Sequence, residues 1–82
     1  MKYITIEEIR EIQHQITIRE DRLRAISRLA TSIAQQLPSM GKTEIYTAAE
    51  QIKALREEVT ELKRYIDRNK KIVSKFFAPA VA

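Results

Sequence analysis

The stretch Ile33-Ala34-Gln35-Gln36-Leu37-Pro38-Ser39-Met40-Gly41-Lys42-Thr43-Glu44-Ile45-Tyr46-Thr47-Ala48 decides the fold. It closes one seven-residue apolar repeat, breaks at Pro38 and Gly41, and opens another. Read backwards from the break, the repeat is Leu37, Ile33, Ala30, Ile26, Leu23, Arg19, Ile16, Ile12 and Ile9. Read forwards it is Ile45, Ala48, Ile52, Leu55, Val59, Leu62, Ile66, Asn69, Val73 and Phe76. Steps of three and four alternate throughout, which keeps one stripe of each helix facing a partner. A turn this short makes the helices antiparallel. The chain is therefore predicted to be all-α, a single two-helix coiled-coil hairpin over residues 1–82. Helix 1 spans about 6–36, the turn 37–42 and helix 2 about 43–77. Pairing outward from the turn gives layers Ile33/Ala48, Ala30/Ile52, Ile26/Leu55, Leu23/Val59, Arg19/Leu62, Ile16/Ile66, Ile12/Asn69 and Ile9/Val73.

Local signals agree with these bounds. Thr5 followed by Glu8 reads as a capping box, and Ile4 with Ile9 as the hydrophobic staple around it. Pro38 disfavours helix at Leu37, and Gly41 is the only glycine of the chain. Helix 2 starts at Thr43, or fully only at Thr47, where Thr47-Ala48-Ala49-Glu50 reads as a second capping box. Pro79 ends it and leaves Ala80-Val81-Ala82 as a frayed tail.

A hairpin of 82 residues buries only one narrow stripe per helix, while ordering costs on the order of 1.5 kcal/mol per residue. Without a cysteine, no disulfide can make up the difference. Self-association is the remedy this implies. Apolar residues beside the main stripe supply the contact: Ile6, Ile18, Tyr65, Ile72 and Phe77, with Leu29 and the stripe's own Phe76. Grouped exposed apolar side chains mark interfaces, and two hairpins joined through these would form a homodimeric four-helix bundle. Arg19 and Asn69 stand on the stripe where hydrophobes are expected. Polar residues at such positions lose stability and set register. For Arg19 the competing reading is a side chain that snorkels to Glu58 or Glu61.

The net charge of +4 is concentrated late in the chain. Residues 1–41 carry six Lys/Arg against five Asp/Glu, and residues 42–82 carry nine against six. The excess lies at Lys63, Arg64, Arg68, Lys70, Lys71 and Lys75, with Asp67 among them. Folding the hairpin sets this stretch beside Glu7, Glu8 and Glu11, so intramolecular pairing is the leading expectation. Its outer flank, Arg64, Arg68 and Lys71, is the candidate contact for a protein partner, ahead of the turn residues Leu37, Met40, Ile45 and Tyr46. Phosphate backbones are the alternative target.

No reaction is legible. His14 is the single histidine and faces away from the seam, where a solvated side chain is expected. Glu57, Glu58 and Glu61 read as surface ion-pair members, and one glycine makes no phosphate-cradling loop. Neither a catalytic site, a cofactor, a metal site nor a small-molecule substrate is expected. No run approaches the ~20 apolar residues that cross a bilayer, and the N-terminus lacks an apolar signal core. A soluble cytoplasmic protein without a membrane role is the expectation.

Residues from about Asp21 to Ile66 resemble the helical-hairpin region of small phage-encoded regulators of the late-transcription-activator kind. The likeness is carried by Leu23-Arg24, Leu29-Ala30-Thr31-Ser32-Ile33, the Pro38-Ser39-Met40 turn, and Ala49-Glu50-Gln51-Ile52 leading to Leu55 and Glu58. It implies a phage or prophage origin and a role in gene control or host takeover. Small size, few special residues and the absence of a catalytic site separately suit a non-enzymatic inhibitor or adaptor of a host protein, with a mobile element as the expected source. In that family a DNA-reading helix-turn-helix typically follows the hairpin, and direct DNA reading by that module is not expected from residues 1–82. Glu44-Ile45-Tyr46-Thr47-Ala48-Ala49-Glu50-Gln51 is similar to the coiled-coil arm of Gre-type elongation factors. That family works through acidic residues at the tip. Here the tip is Ser39-Met40-Gly41-Lys42, so its activity does not carry over.

Overall fold

The computed structural model describes residues 4–77. Helix α1 covers Ile6–Gln36, a single 3-10 turn covers Leu37–Ser39, and helix α2 covers Lys42–Phe77. The two helices pack along each other as the predicted antiparallel hairpin.

Each boundary has a local cause. Thr5 takes extended angles (φ −81°, ψ 160°) and its Oγ1 accepts from the Glu8 backbone N–H at 3.2 Å. Glu8 completes the box differently from expectation, since its Oε1 accepts from the Thr5 hydroxyl at 3.3 Å. At the far end Leu37 keeps right-handed helical angles (φ −51°, ψ −44°) despite the following proline. The chain tightens there to 3-10 geometry, closed by Met40 N–H donating to Leu37 O at 3.1 Å, and Met40 then turns extended. Gly41 does not use its left-handed freedom. It starts α2, its carbonyl accepting from Ile45 N–H at 3.0 Å. The capping box at Thr47 does not form, because the helix is already running: Thr47 Oγ1 donates back to Thr43 O at 3.2 Å. Tyr3, Pro79 and the tail lie outside the described residues.

The core is the predicted stripe. Ile9, Ile16, Ile26, Ile33, Ala48 and Ile66 are buried, with no buried polar residue among them. The other stripe residues are half-buried, apart from Ile45 and Phe76 at the two ends, which are exposed. Ile45 has only the turn opposite it and so no helix to cover it.

The hairpin measures 62 × 23 × 19 Å with a radius of gyration of 18.5 Å, where a compact chain of this length would have about 12 Å. It exposes 6877 Å², whereas a compact monomer of 9.6 kDa exposes about 5,100 Å². Among the described residues no helix is long and apolar enough to cross a membrane.

Candidate interaction surface

The stripe has two flanks, and they differ. On the first, long polar side chains close over the middle of the seam, while nearer the turn a smaller groove of about 270 Å³ stays open between Leu29, Ile33, Gln51, Ala54 and Leu55. The Arg19 guanidinium lies 3.7 Å from the Tyr65 ring centroid, a cation–π contact. Its Nη1 also donates to Gln15 O at 3.2 Å and Gln15 Oε1 at 2.7 Å. One turn further on, Arg22 donates through Nε and Nη2 to the two carboxylate oxygens of Glu58, at 2.6 and 2.9 Å. This fork raises the Arg22 pKa and holds the Glu58 carboxyl below its ordinary range, chiefly through the hydrogen bond itself. Arg19 therefore does not reach Glu58 or Glu61. Arg22 occupies the first, and Arg64 pairs with the second at 3.1 Å. Asn69 donates from Nδ2 to Tyr65 O of its own helix at 2.8 Å.

On the second flank the seam stays open. A groove of about 660 Å³ runs between the helices, with Leu23, Ile26, Ala30, Ile52, Leu55 and Val59 as its apolar lining. Ser27 and Ala30 on the α1 side are too short to bridge it. Arg56, Thr60 and Lys63 edge the α2 side. Lys70 and Glu20 cross the seam as an ion pair at 3.0 Å. Beyond them lies a second groove of about 580 Å³ between Gln13, Ile16, Thr17, Lys70, Val73 and Ser74.

The self-association residues read from sequence divide between these flanks. Ile6 is seven residues before Gln13 and Phe77 seven after Lys70, so both fall on the open flank. They are exposed, Ile6 at 54% and Phe77 at 57%. Tyr65 and Ile72 fall on the closed flank, half-buried, and Tyr65 is already engaged by Arg19. Ile18 is exposed on the outer side of that flank, and Phe76 is exposed at the open end, its ring edge-on to Phe77.

Arg64 and Lys71, seven residues apart, share the outer face of α2, with Arg68 beside them. All three are exposed. The expected pairing of the basic stretch with Glu7, Glu8 and Glu11 is not found among the described residues. Glu11 instead accepts from Gln15 Nε2 at 2.9 Å. Of the basic stretch, Lys70 pairs across the seam with Glu20, and Arg64 pairs with Glu61 of its own helix. Lys63, Arg68, Lys71 and Lys75 carry no ion pair among the described residues. His14 is exposed, and no group of His, Cys, Asp and Glu suited to a metal occurs among the described residues.

Sequence reasoning overlooked Arg22. Its signal was available, because the pairing that sets Leu23 opposite Val59 puts Arg22 level with Glu58. Compared with protein families, with curated proteins and with solved structures, the chain matches none.

Proposed function

We propose that this chain is a non-enzymatic interaction module of the cytoplasm, a helical hairpin that pairs with a second copy into a four-helix bundle. Its basic outer face on α2 serves as the contact for an acidic protein partner, as in an inhibitor or adaptor. The observation that carries this reading is the half-covered seam. Most of the stripe is only partly sealed by the hairpin itself, and the surface exceeds that of a compact monomer by roughly 1,800 Å². Counted over two copies, that excess would make an interface of about 3,600 Å² in total, above the standard size and within the range of obligate homodimers.

Sedimentation equilibrium across a range of concentrations tests it. The expected result is a monomer–dimer equilibrium, with a melting temperature that rises with protein concentration as mass action requires. A monodisperse monomer whose melt is unchanged on dilution overturns it.

A second reading, a nucleic-acid-associated regulator, is favoured by one observation: Lys63, Arg68, Lys71 and Lys75 are free of ion pairs among the described residues. Fluorescence anisotropy with a labelled duplex separates the two. Affinity that falls steeply with salt and disappears in Arg64→Glu with Arg68→Glu selects this reading over the acidic-protein one.

A further inference from the structure

The open flank also determines how a second copy sits. The two longest extents of the molecule are 62 and 23 Å, so a side running its full length has room for the ~800 Å² per partner that a stable interface needs. A twofold axis can place the second hairpin on it in two antiparallel ways. With the turns at opposite ends, α2 lies on α2 of the other copy. Arg56 of each copy then meets Lys63 of the other, a like-charge juxtaposition that opposes association. The exposed Ile6 and Phe77 are carried to the partner's turn, among polar residues such as Gln36 and Lys42.

With the turns at the same end, α1 of each copy lies on α2 of the other. Levels along the hairpin are then kept: Phe77 meets Ile6, Lys70 meets Gln13, Lys63 meets Glu20, Arg56 meets Ser27 and Ala49 meets Ala34. The grooves themselves report this levelling, since Gln13 and Lys70 share one while Ser27, Arg56 and Lys63 share the other. Cations face neutral or acidic groups, and the exposed apolar pair at the open end becomes a four-residue cluster.

We propose that the second copy docks on the open flank with both turns at the same end, α1 over α2 and α2 over α1, sealing the Leu23–Val59 groove. This rests on the self-association proposed above and adds its face and polarity. The absence of cysteine makes the test clean. Ser39→Cys, in the exposed turn, carries one nitroxide per chain, and Lys42→Cys provides an independent second site. Pulsed dipolar spectroscopy on the dimer is expected to give a single distance under about 30 Å at both sites, as neighbouring helices 8–10 Å apart with label arms allow. A distance near the 62 Å length of the hairpin, or a mass above that of a dimer, overturns the polarity and leaves self-association standing. A monomer at every concentration overturns both.

Discussion

Replacing Ile66 and Phe77 separately by alanine distinguishes what the hairpin seals by itself from what it leaves for a second copy. Ile66 is 5% exposed and belongs to the layer of Ile16, which is 6% exposed. Truncating so enclosed an isoleucine costs about 2–5 kcal/mol, from lost transfer energy and the cavity left behind. A domain of 82 residues has roughly 4–12 kcal/mol in total at the usual per-residue stability. One side chain is thus a large fraction of the whole, and Ile66→Ala should lower the melting temperature by at least about 10 °C. Phe77 is 57% exposed, so Phe77→Ala in an isolated hairpin should stay within about 0.5 kcal/mol of neutral. On a covered flank the same truncation loses up to about 1.5–3 kcal/mol of burial, and only where the dimer is populated. Far-UV circular dichroism melts at low and high protein concentration read both effects. Loss of under about 1 kcal/mol from Ile66→Ala would contradict the layer register. An equal penalty for Phe77→Ala at both concentrations would place Phe77 inside the hairpin's own packing.

Two further outcomes follow from single contacts. Arg22 lowers the Glu58 carboxyl pKa in the folded state, mainly by hydrogen bonding. Its contribution is therefore present above the unfolded carboxylate value and lost as pH falls through the lower folded value. Melting temperature against pH should show that acid-side fall, and Glu58→Gln should flatten it; an unchanged profile refutes the contact. At the turn, Gly41 has no positive φ, and an added Cβ would meet only Glu44 Oε1 at an ordinary 3.9 Å. Gly41→Ser supplies an N-cap acceptor and narrows the unfolded ensemble, so it should stabilise by about 0.5–1 kcal/mol. A lower denaturant midpoint would refute that assignment of the cap.

The stripe was legible because a seven-residue repeat survives whatever lies around it: Ile9, Ile16, Ile26, Ile33, Ala48 and Ile66 were all on it, and all are buried. Thr5 was legible because its side chain does one thing in that position, and the structure has it accepting from Glu8 N–H. Periodicity says less about long side chains. Arg19 and Arg22 stand one turn apart on α1, and the choice of Arg22 as the partner of Glu58 turns on a few ångströms that the sequence does not contain. The same holds for Lys70, which passes over the nearer levels to pair with Glu20. The expectation for Glu7, Glu8 and Glu11 failed for a related reason. Bringing opposite charges to the same end of a hairpin does not put them on the same face. Thr47 shows a third limit, since its capping pattern also fits a helix interior, and Gly41 had already started α2.

Arg19 and Asn69 bring these levels together. A polar residue on an apolar stripe is usually read as a register device, yet the short turn from Leu37 to Gly41 already forbids a seven-residue slide within the hairpin. Their influence has to be sought in what the hairpin joins. Both are anchored to Tyr65, Arg19 on its ring and Asn69 on its carbonyl. Arg19 and the Arg22–Glu58 fork together cover the middle of the closed flank with polar contacts. A second copy approaching the middle of that flank would have to strip a cation–π contact and a bidentate ion pair before reaching the seam. From the other side it meets Leu23, Ile26, Ile52, Leu55 and Val59 with only Ser27 and Ala30 beside them on α1, the Lys70–Glu20 ion pair crossing nearer the open end. In the dimer proposed above, the polar residues of the stripe would thus bias the face used for association, through where their hydrogen bonds lead rather than through any contact with the partner.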